Sequence, residues 1–273
     1  SNVQHFHFFI YIFRIFKDDV LGTDSDNRKY WKFNMNVRQI YKILHMHLVW
    51  AARYYIMADN SGTQVRDLFN TILKHLRRGN LEPDEVVSII KKYLFYDESS
   101  TAADIQLKSA LNLNSSDDLL KASFIANPFQ NDVSARILWE INIHYSSENT
   151  VQRDKYDVDH IAPEKLNLWF DNWITEGLSS KEAQARKVDL TVVNDAIGNR
   201  TLLYDSKNRS KKNCILSDKK EAIETSNIRI TDFLTEMDDY KNNNWSKDSI
   251  KILGIKYAEQ LLGTEEDPGP WSA

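Results

Sequence analysis

The sequence contains a single cysteine, Cys214, in 273 residues, and this scarcity excludes a disulfide framework. It also excludes a zinc site built from several thiolates. Proline and glycine are scarce too, with five and eight residues, so the chain has few breaks between regular elements. Apolar residues make up 42% of the chain and recur at helical spacing. The sequence therefore predicts a mostly α-helical fold that is held together by packing.

No apolar run is long enough to span a membrane. The best candidate, the aromatic run from Phe6 to Phe16, is too short and is interrupted by Arg14. No small-residue cleavage site follows it, so it does not have the pattern of a signal peptide. We expect this run to be a strand or helix packed in a core, in a cytoplasmic protein with no membrane partner. A sequence that opens directly on such an aromatic run is also compatible with a chain cut from a longer protein.

The net charge of −4 argues against a surface that attracts nucleic acid everywhere. The charge is locally positive: the segment from Arg200 to Lys220 contains seven Lys and Arg residues and two Asp residues, a net charge of 7 − 2 = +5. A run of this kind can be a solvated helix face. Next to the motifs described below, contact with phosphate groups is the favoured interpretation.

Apolar spacing predicts a helix from Asn34 to Ala58 with one buried stripe, formed by Val37, Ile40, Tyr41, Leu44, Leu48, Ala51 and Tyr55. A second helix is expected to stop at Gly79, and Pro83 opens a third. Further helices are predicted near 103–111 and 117–125 and from Asp132 onward, followed by 230–237 and 246–262. A capping-box pattern at Ser179 predicts a helix to about Val193. The last ten residues are expected to be frayed.

Two separated motifs carry the candidate chemistry. The first, from Tyr156 to Pro163, is a short β-branched and aromatic run that ends in the adjacent pair Asp159 and His160. Because adjacent strand residues point to opposite faces, the strand must end at this pair if both side chains serve one site. About 35 residues on, the second motif offers a turn at Gly198, an apolar run from Thr201 to Tyr204 that suits a strand, and a helix N-cap at Asp205 or Ser206.

The pattern D-H-I-x-P, then G-N-x-T-L-L, then N-x-x-x-x-N followed by lysines, resembles the HNH (ββα-metal) nucleases. Within these it is similar to the C-terminal nuclease domain of GmrSD-type restriction enzymes and related phage-defence proteins. The resemblance is strong over residues 156–220. It implies a mostly α protein with a small ββα-metal core, that is, a helical scaffold around a two-stranded hairpin plus helix. The implied division is a helical scaffold or linker at 1–150, the nuclease core at 151–225 and packing helices at 226–273.

The resemblance also implies roles for individual residues. His160 is then the general base, Asn199 the asparagine that braces the loop, and Asp159 and Asn208 the ligands of one Mg²⁺ or Mn²⁺ per active site. The expected DNA-binding residues are Arg200, Lys207, Arg209, Lys211, Lys212 and Asn213. Double-stranded DNA is the implied partner. No G-x-x-x-x-G-K-[ST] loop is present, so an NTP-dependent regulatory domain or subunit is expected elsewhere in such a system.

The chemistry agrees with these roles. Phosphodiester hydrolysis needs an activated water, and an imidazole that titrates near neutrality is a natural general base. Oxygen ligands alone favour Mg²⁺ or Mn²⁺ over zinc. Each residue taken singly also has a structural interpretation: a surface Asp-His pair, a turn, a helix-surface Asn. His144, close to the first motif, is expected to be structural rather than part of the site. The alternative function is a catalytically silent HNH-fold module for DNA binding or assembly, and a nuclease acting on RNA is a third possibility.

Overall fold

The computed structural model describes residues 8–10, 12, 21–23, 25–31, 35–54, 62–77, 81–95, 117–146, 156–204, 213–226, 228–264 and 266–272. The chain divides into two compact units, with the boundary between Leu119 and Leu120. The prediction of a mostly α-helical protein with a two-stranded antiparallel sheet near the motifs is confirmed. The predicted helix at 103–111 lies outside the described residues. The three-part division predicted from the sequence stays a prediction.

The described residues of the first unit include a short antiparallel strand pair, three longer helices and helical residues at 8–10. A further helix begins in this unit and ends in the second unit. The bounds are β1 (Leu21–Thr23), β2 (Lys29–Trp31), α1 (Met35–Ala52), α2 (Gly62–Leu76), α3 (Pro83–Leu94) and α4 (Asp117–Ala126). Pro83 stands at the first helical position of α3, as predicted. Helix α3 packs against both α1 and α2.

The buried stripe predicted for α1 is wrong in part. Ile40 is buried as predicted, but Tyr41 and Leu48 are 70% and 65% exposed. In their place the helix buries Ile43, Met46, His47 and Trp50. These residues also follow spacings of three and four, so apolar residues offered the helix two competing faces. Tertiary contacts select the face that contains His47, whose ring stacks on Phe8 with centroids 5.4 Å apart. Phe8 is buried and helical, which confirms that part of the aromatic run packs in a core.

The described residues of the second unit form a second antiparallel strand pair and a series of helices. Their bounds are α5 (Asn131–Tyr145), β3 (Tyr156–His160), α6 (Asn167–Thr175), α7 (Ser180–Val192), a 3₁₀ turn (Ile197–Asn199), β4 (Arg200–Tyr204), α8 (Leu216–Glu224), α9 (Arg229–Thr235), α10 (Asp238–Lys241) and α11 (Lys247–Leu262). The predicted capping box is present, because Oγ of Ser179 accepts from the N–H of Glu182 and the Glu182 carboxylate accepts from the N–H of Ser179.

Strands β3 and β4 pair antiparallel although 39 residues separate them in the sequence, from Ile161 to Asn199. In their register Asp159 lies opposite Thr201, and His160 lies opposite Arg200. Strand β3 ends at His160, as the motif required. Helix α5 packs on both strands, so the sheet is attached to the helical core of this unit.

The 3₁₀ turn packs closely on helix α11 at Gly198. A Cβ atom added to Gly198 would lie 1.9 Å from the carbonyl oxygen of Ile250 and 2.6 Å from the nitrogen of Gly254. Only a residue without a side chain lets the two backbones approach this closely. Gly198 therefore sets how closely the 3₁₀ turn, and the start of β4 that follows it, approach helix α11.

The prediction that the last ten residues are frayed is wrong for residues 266–272. Trp271 is buried, its indole N–H donates to Oε2 of Glu140 at 2.8 Å, and its backbone N–H donates to Leu261. A large aromatic side chain near a terminus gains enough from burial to order the segment, despite the flanking Pro268-Gly269-Pro270.

No helix in the described part of the chain has the length and apolarity that a membrane crossing requires.

Candidate active site at the end of the strand pair

A cleft of about 140 Å³ opens where strand β3 ends. Its lining is polar and consists of Asn131, Asp157, Val158, Asp159, His160, Glu164 and Asn213. Residues from three separate parts of the chain thus meet here: the start of α5, the β3 strand with its following loop, and the segment before α8. Asp159 and His160, adjacent in the sequence, both line this one cleft because the strand ends at His160.

The loop after His160 is held by the carboxamide of Asn199, which is completely buried. Its Oδ1 accepts from the N–H of Ala162 at 2.9 Å, and its Nδ2 donates to the carbonyl oxygens of Ala162 at 2.8 Å and Asn194 at 2.9 Å. The indole N–H of Trp245 also donates to Oδ1, at 3.3 Å. One side chain therefore satisfies both backbone groups of Ala162, which a buried loop could not leave unpaired.

Asp159 is 3% exposed, and its carboxylate pairs with a buried lysine from helix α8. The ammonium of Lys219 donates to Oδ2 of Asp159 at 2.9 Å and to the main-chain carbonyl oxygen of His160 at 2.5 Å. Burial raises the pKa of Asp159, and the charge and hydrogen bond of Lys219 offset part of that rise. The site therefore contains the buried ammonium of Lys219 beside the carboxylate of Asp159.

The imidazole of His160 is directed at a second acid. Its Nε2 is buried and lies 3.6 Å from Oδ1 of Asp195, a distance longer than a hydrogen bond. The same Oδ1 accepts from Nη2 of Arg200 at 3.0 Å. The side chain of Asp195 is 59% exposed, whereas that of Arg200 is almost completely buried. The Asp195 carboxylate thus lies between the imidazole of His160 and the guanidinium of Arg200.

The pKa of His160 lies below its ordinary value. Burial is the largest cause, and the positive charge of Arg200 adds to it, while Glu164 and Asp195 oppose both. A lowered pKa means that the imidazole is mainly neutral at pH 7 and can accept a proton. The electrostatics of the cleft therefore favour His160 as a base over His160 as a cation.

The residues predicted from the sequence fall into three groups. Asp159, His160 and Asn213 line the cleft, and Asn199 braces the loop beneath it. Arg200 is 2% exposed and turns inward, with its guanidinium on Asp195 and on Oγ of Ser134. Asn208 and the basic residues at 207, 209, 211 and 212 lie outside the described residues, as does the predicted N-cap at 205 or 206. His144 is exposed and contacts Tyr145.

Sequence reasoning missed five residues of this region: Asn131, Asp157, Glu164, Asp195 and Lys219. Lys219 had a detectable signal, because it shares the buried face of α8 with Leu216, Ala222 and Ile223 at helical spacing. A lysine in such a stripe needs a buried partner. Asn131 had no signal, since its position depends on how α5 packs on the sheet.

The donor atoms of the cleft suit a hard divalent cation that keeps much of its water. The lining offers carboxylate and carboxamide oxygens and one imidazole. Within the ranges described, no group of three His, Cys, Asp or Glu side chains is arranged to hold a metal ion. Mg²⁺ commonly binds proteins through one or two carboxylates together with water and substrate phosphate, so this donor set fits it.

The fold and the cleft thus define a helical protein with a polar site at the end of a small antiparallel sheet. The family model of the GmrSD restriction endonucleases, C-terminal domain, matches residues 114–258, which is more than half of the chain. The chain belongs to this family, and its functional class is that of a restriction endonuclease domain. The curated proteins and the solved structures contain no match to the chain.

Proposed function

We propose that the chain is a metal-dependent endonuclease of the HNH type that hydrolyses phosphodiester bonds of double-stranded DNA. Its targets would be foreign or modified DNA in a restriction or anti-phage system. The observation that carries this proposal is the pair Asp159 and His160 at the end of β3, in one cleft, above a loop braced by Asn199. Membership of a restriction endonuclease family supports the substrate class.

His160 acts as the general base in this mechanism. Its Nε2 is buried towards Asp195, so Nδ1 is the nitrogen that takes the proton from the attacking water. The water oxygen forms a bond to phosphorus while the bond from phosphorus to the 3′ oxygen breaks. The products are a 5′-phosphate and a 3′-hydroxyl. The lowered pKa of His160 supports this role, because the base must be neutral before each turnover.

Asp159 and Asn208 would hold one Mg²⁺ or Mn²⁺, which when bound stabilises, as a Lewis acid, the negative charge that develops at the phosphorane and the 3′ oxygen. Asn208 enters this proposal from the sequence motif alone. Asn199 keeps the loop after His160 in place through Ala162, so its role is to position the base rather than to touch the substrate.

The phosphate backbone would be contacted by part of the basic run, and the proposed residues are Lys207, Arg209, Lys211, Lys212 and Asn213. Asn213 is exposed at the mouth of the cleft, which supports its place in this set. Arg200 is left out because its guanidinium is buried and paired. Lys219 and Lys220 are left out because their ammonium groups donate to acceptors within the protein. An NTP-dependent regulatory domain or subunit of the same system is the proposed protein partner.

The test is a cleavage assay with wild-type protein on supercoiled plasmid, linear duplex and RNA. Each substrate is incubated with Mg²⁺, Mn²⁺, Ca²⁺, Zn²⁺ or EDTA. We expect plasmid nicking or cutting with Mg²⁺ or Mn²⁺, no cleavage in EDTA, and product ends that a ligase accepts without prior phosphorylation. Preference for RNA would change the substrate, and equal cleavage in EDTA would contradict the metal-dependent mechanism.

A second candidate is a catalytically silent HNH-fold module for DNA binding or assembly. The ion pair between Asp159 and Lys219 favours it, because this pair already occupies an oxygen of the carboxylate that a metal would use. Tight duplex binding without cleavage, with every cation of the series and with the regulatory partner supplied, would select this candidate over the nuclease.

A further inference from the structure

Lys219 has no part in the mechanism above, yet it makes the most buried charged contact of the site. Its side chain is completely buried on helix α8, 60 residues away from Asp159 in the sequence. A lysine ammonium is almost never fully buried without charged or polar partners, because removing it from water is costly. The partners of Lys219 are therefore essential to its position, and both of them belong to the candidate site.

The two acceptors of the ammonium are consecutive residues. One is Oδ2 of Asp159, and the other is the main-chain carbonyl oxygen of His160. The Lys219 ammonium thus links the carboxylate of Asp159, which is proposed to hold a metal, with the backbone of His160, the proposed base. Lys219 joins α8 to the end of β3 at the point where the strand must stop for both side chains to reach the cleft.

The ammonium also places a positive charge next to the carboxylate that would attract a divalent cation. Like charges that approach one acid repel each other, and at a buried position solvent screens this repulsion weakly. Asp157 and Glu164 line the same cleft, but both are exposed, so their charges are better screened than that of Lys219. Arg200 is engaged at Asp195, on the His160 side of the site.

We propose that Lys219 is a positioning residue that fixes Asp159 and His160 for catalysis and, in doing so, weakens the binding of a divalent cation at Asp159. This inference rests on the proposed function. It has a signature that a purely structural ion pair lacks. Removing the ammonium strengthens metal binding and slows cleavage, whereas loss of a structural brace weakens both.

The test compares Lys219→Met with wild type in the intact chain. Mn²⁺ alone is titrated by calorimetry, and plasmid cleavage is measured at saturating Mn²⁺. We expect the Kd for Mn²⁺ to fall by roughly tenfold or more, since one nearby positive charge has been removed. We expect kcat to fall by about tenfold or more, because a base displaced by about an ångström loses much of its effect. Unchanged or weaker Mn²⁺ binding would overturn the proposal.

Lys220→Met is the matched control. Lys220 is the next residue on α8, and its ammonium donates to the carbonyl oxygen of Lys241 and lies over the ring of Tyr240, away from the cleft. We expect this variant to keep the Mn²⁺ affinity and the cleavage rate of wild type. Equal effects of the two substitutions would assign the change to total charge rather than to position, and would also overturn the proposal.

A measurement on the wild-type chain covers the case in which Lys219→Met does not fold. The Nζ resonance of Lys219 is followed by NMR while Mg²⁺ is added. We expect the Lys219 resonance to shift and the Lys220 resonance to stay unchanged, because Mg²⁺ and the Lys219 ammonium both contact Asp159. A Lys219 resonance that stays fixed at saturating Mg²⁺ would contradict the proposal. If wild type neither binds Mn²⁺ nor cuts DNA, the proposed function fails. If it does both and the Lys219→Met affinity is unchanged, only this inference fails.

Discussion

The carboxamide of Asn199 pairs with both backbone groups of Ala162, accepting from the N–H at 2.9 Å and donating to the carbonyl oxygen at 2.8 Å. Ala162 lies two residues beyond His160, so this double contact sets the course of the chain where it leaves the cleft. The pairing resembles that between neighbouring strands, but here a side chain replaces the second backbone. The geometry of the candidate base therefore depends on a residue 39 positions later in the sequence.

Asn199→Ala should destabilise the protein by about 3 kcal/mol or more. The substitution leaves three buried polar groups unpaired: the N–H of Ala162, the carbonyl oxygen of Asn194 and the indole N–H of Trp245. Each costs about 1–3 kcal/mol before the site relaxes. The carbonyl oxygen of Ala162 still accepts from Nδ2 of Asn194. Urea unfolding followed by circular dichroism measures the change. Asn242→Ala, at an exposed position, is the control and should stay within about 0.5 kcal/mol of wild type. A loss as small as that of the control would show that Asn199 does not brace the loop.

Gly198→Ala should also destabilise the protein, by about 1–3 kcal/mol or more, through overpacking. The added methyl group would meet backbone atoms of Ile250 and Gly254, which cannot rotate away as a flexible side chain would. Gly177→Ala provides the comparison, because space is open there and only the positive φ of 104° opposes a side chain. Thermal unfolding of the two variants compares the steric clash at position 198 with the backbone strain at position 177. An alanine tolerated at position 198 would contradict the close approach of the 3₁₀ turn and helix α11.

Cleavage should lose activity on the acidic side of neutrality, through protonation of His160. The pKa of this residue is lowered by burial and by Arg200, with Glu164 and Asp195 opposing them. The neutral base is therefore retained to a lower pH than in a free histidine, whose pKa is about 6.5. The same depressed pKa contributes stability that is present above pH ~6.5 and is lost as the pH falls through the folded-state value. A rate profile with its midpoint above the pKa of free histidine would contradict the buried, Arg200-facing environment of His160.

Asp195→Asn should move the acidic limb of that profile to lower pH. The substitution removes a negative charge 3.6 Å from Nε2 of His160 and leaves the positive charge of Arg200 in place, and both effects disfavour the imidazolium. Single-turnover cleavage measured across the acidic range detects the change. Asp189→Asn is a suitable control, because Asp189 is an exposed acid on α7 whose 3.9 Å contact is with Lys247 rather than with His160. A shift to higher pH would assign Asp195 another role.

Local patterns predicted the elements around the site well. The end of β3 at His160, strand β4, the turn at Gly198 and the capping box at Ser179 all follow from short-range residue preferences. Long-range choices were not predictable from the same patterns. Helix α1 has two apolar faces, and the burial of His47 rather than Tyr41 depends on rings from other segments. Arg200 looked like a DNA contact in a basic run, but Asp195 and Ser134 turn it inward.

In the proposed mechanism, His160 is the base of a DNA-cleaving site. The most direct measurement is plasmid nicking by His160→Ala beside His144→Ala, with Mn²⁺ and with matched thermal unfolding. We expect His160→Ala to abolish nicking, by at least about a hundredfold, while it stays folded, and His144→Ala to cut like wild type. Undiminished cleavage by folded His160→Ala would contradict the role of His160 as the base.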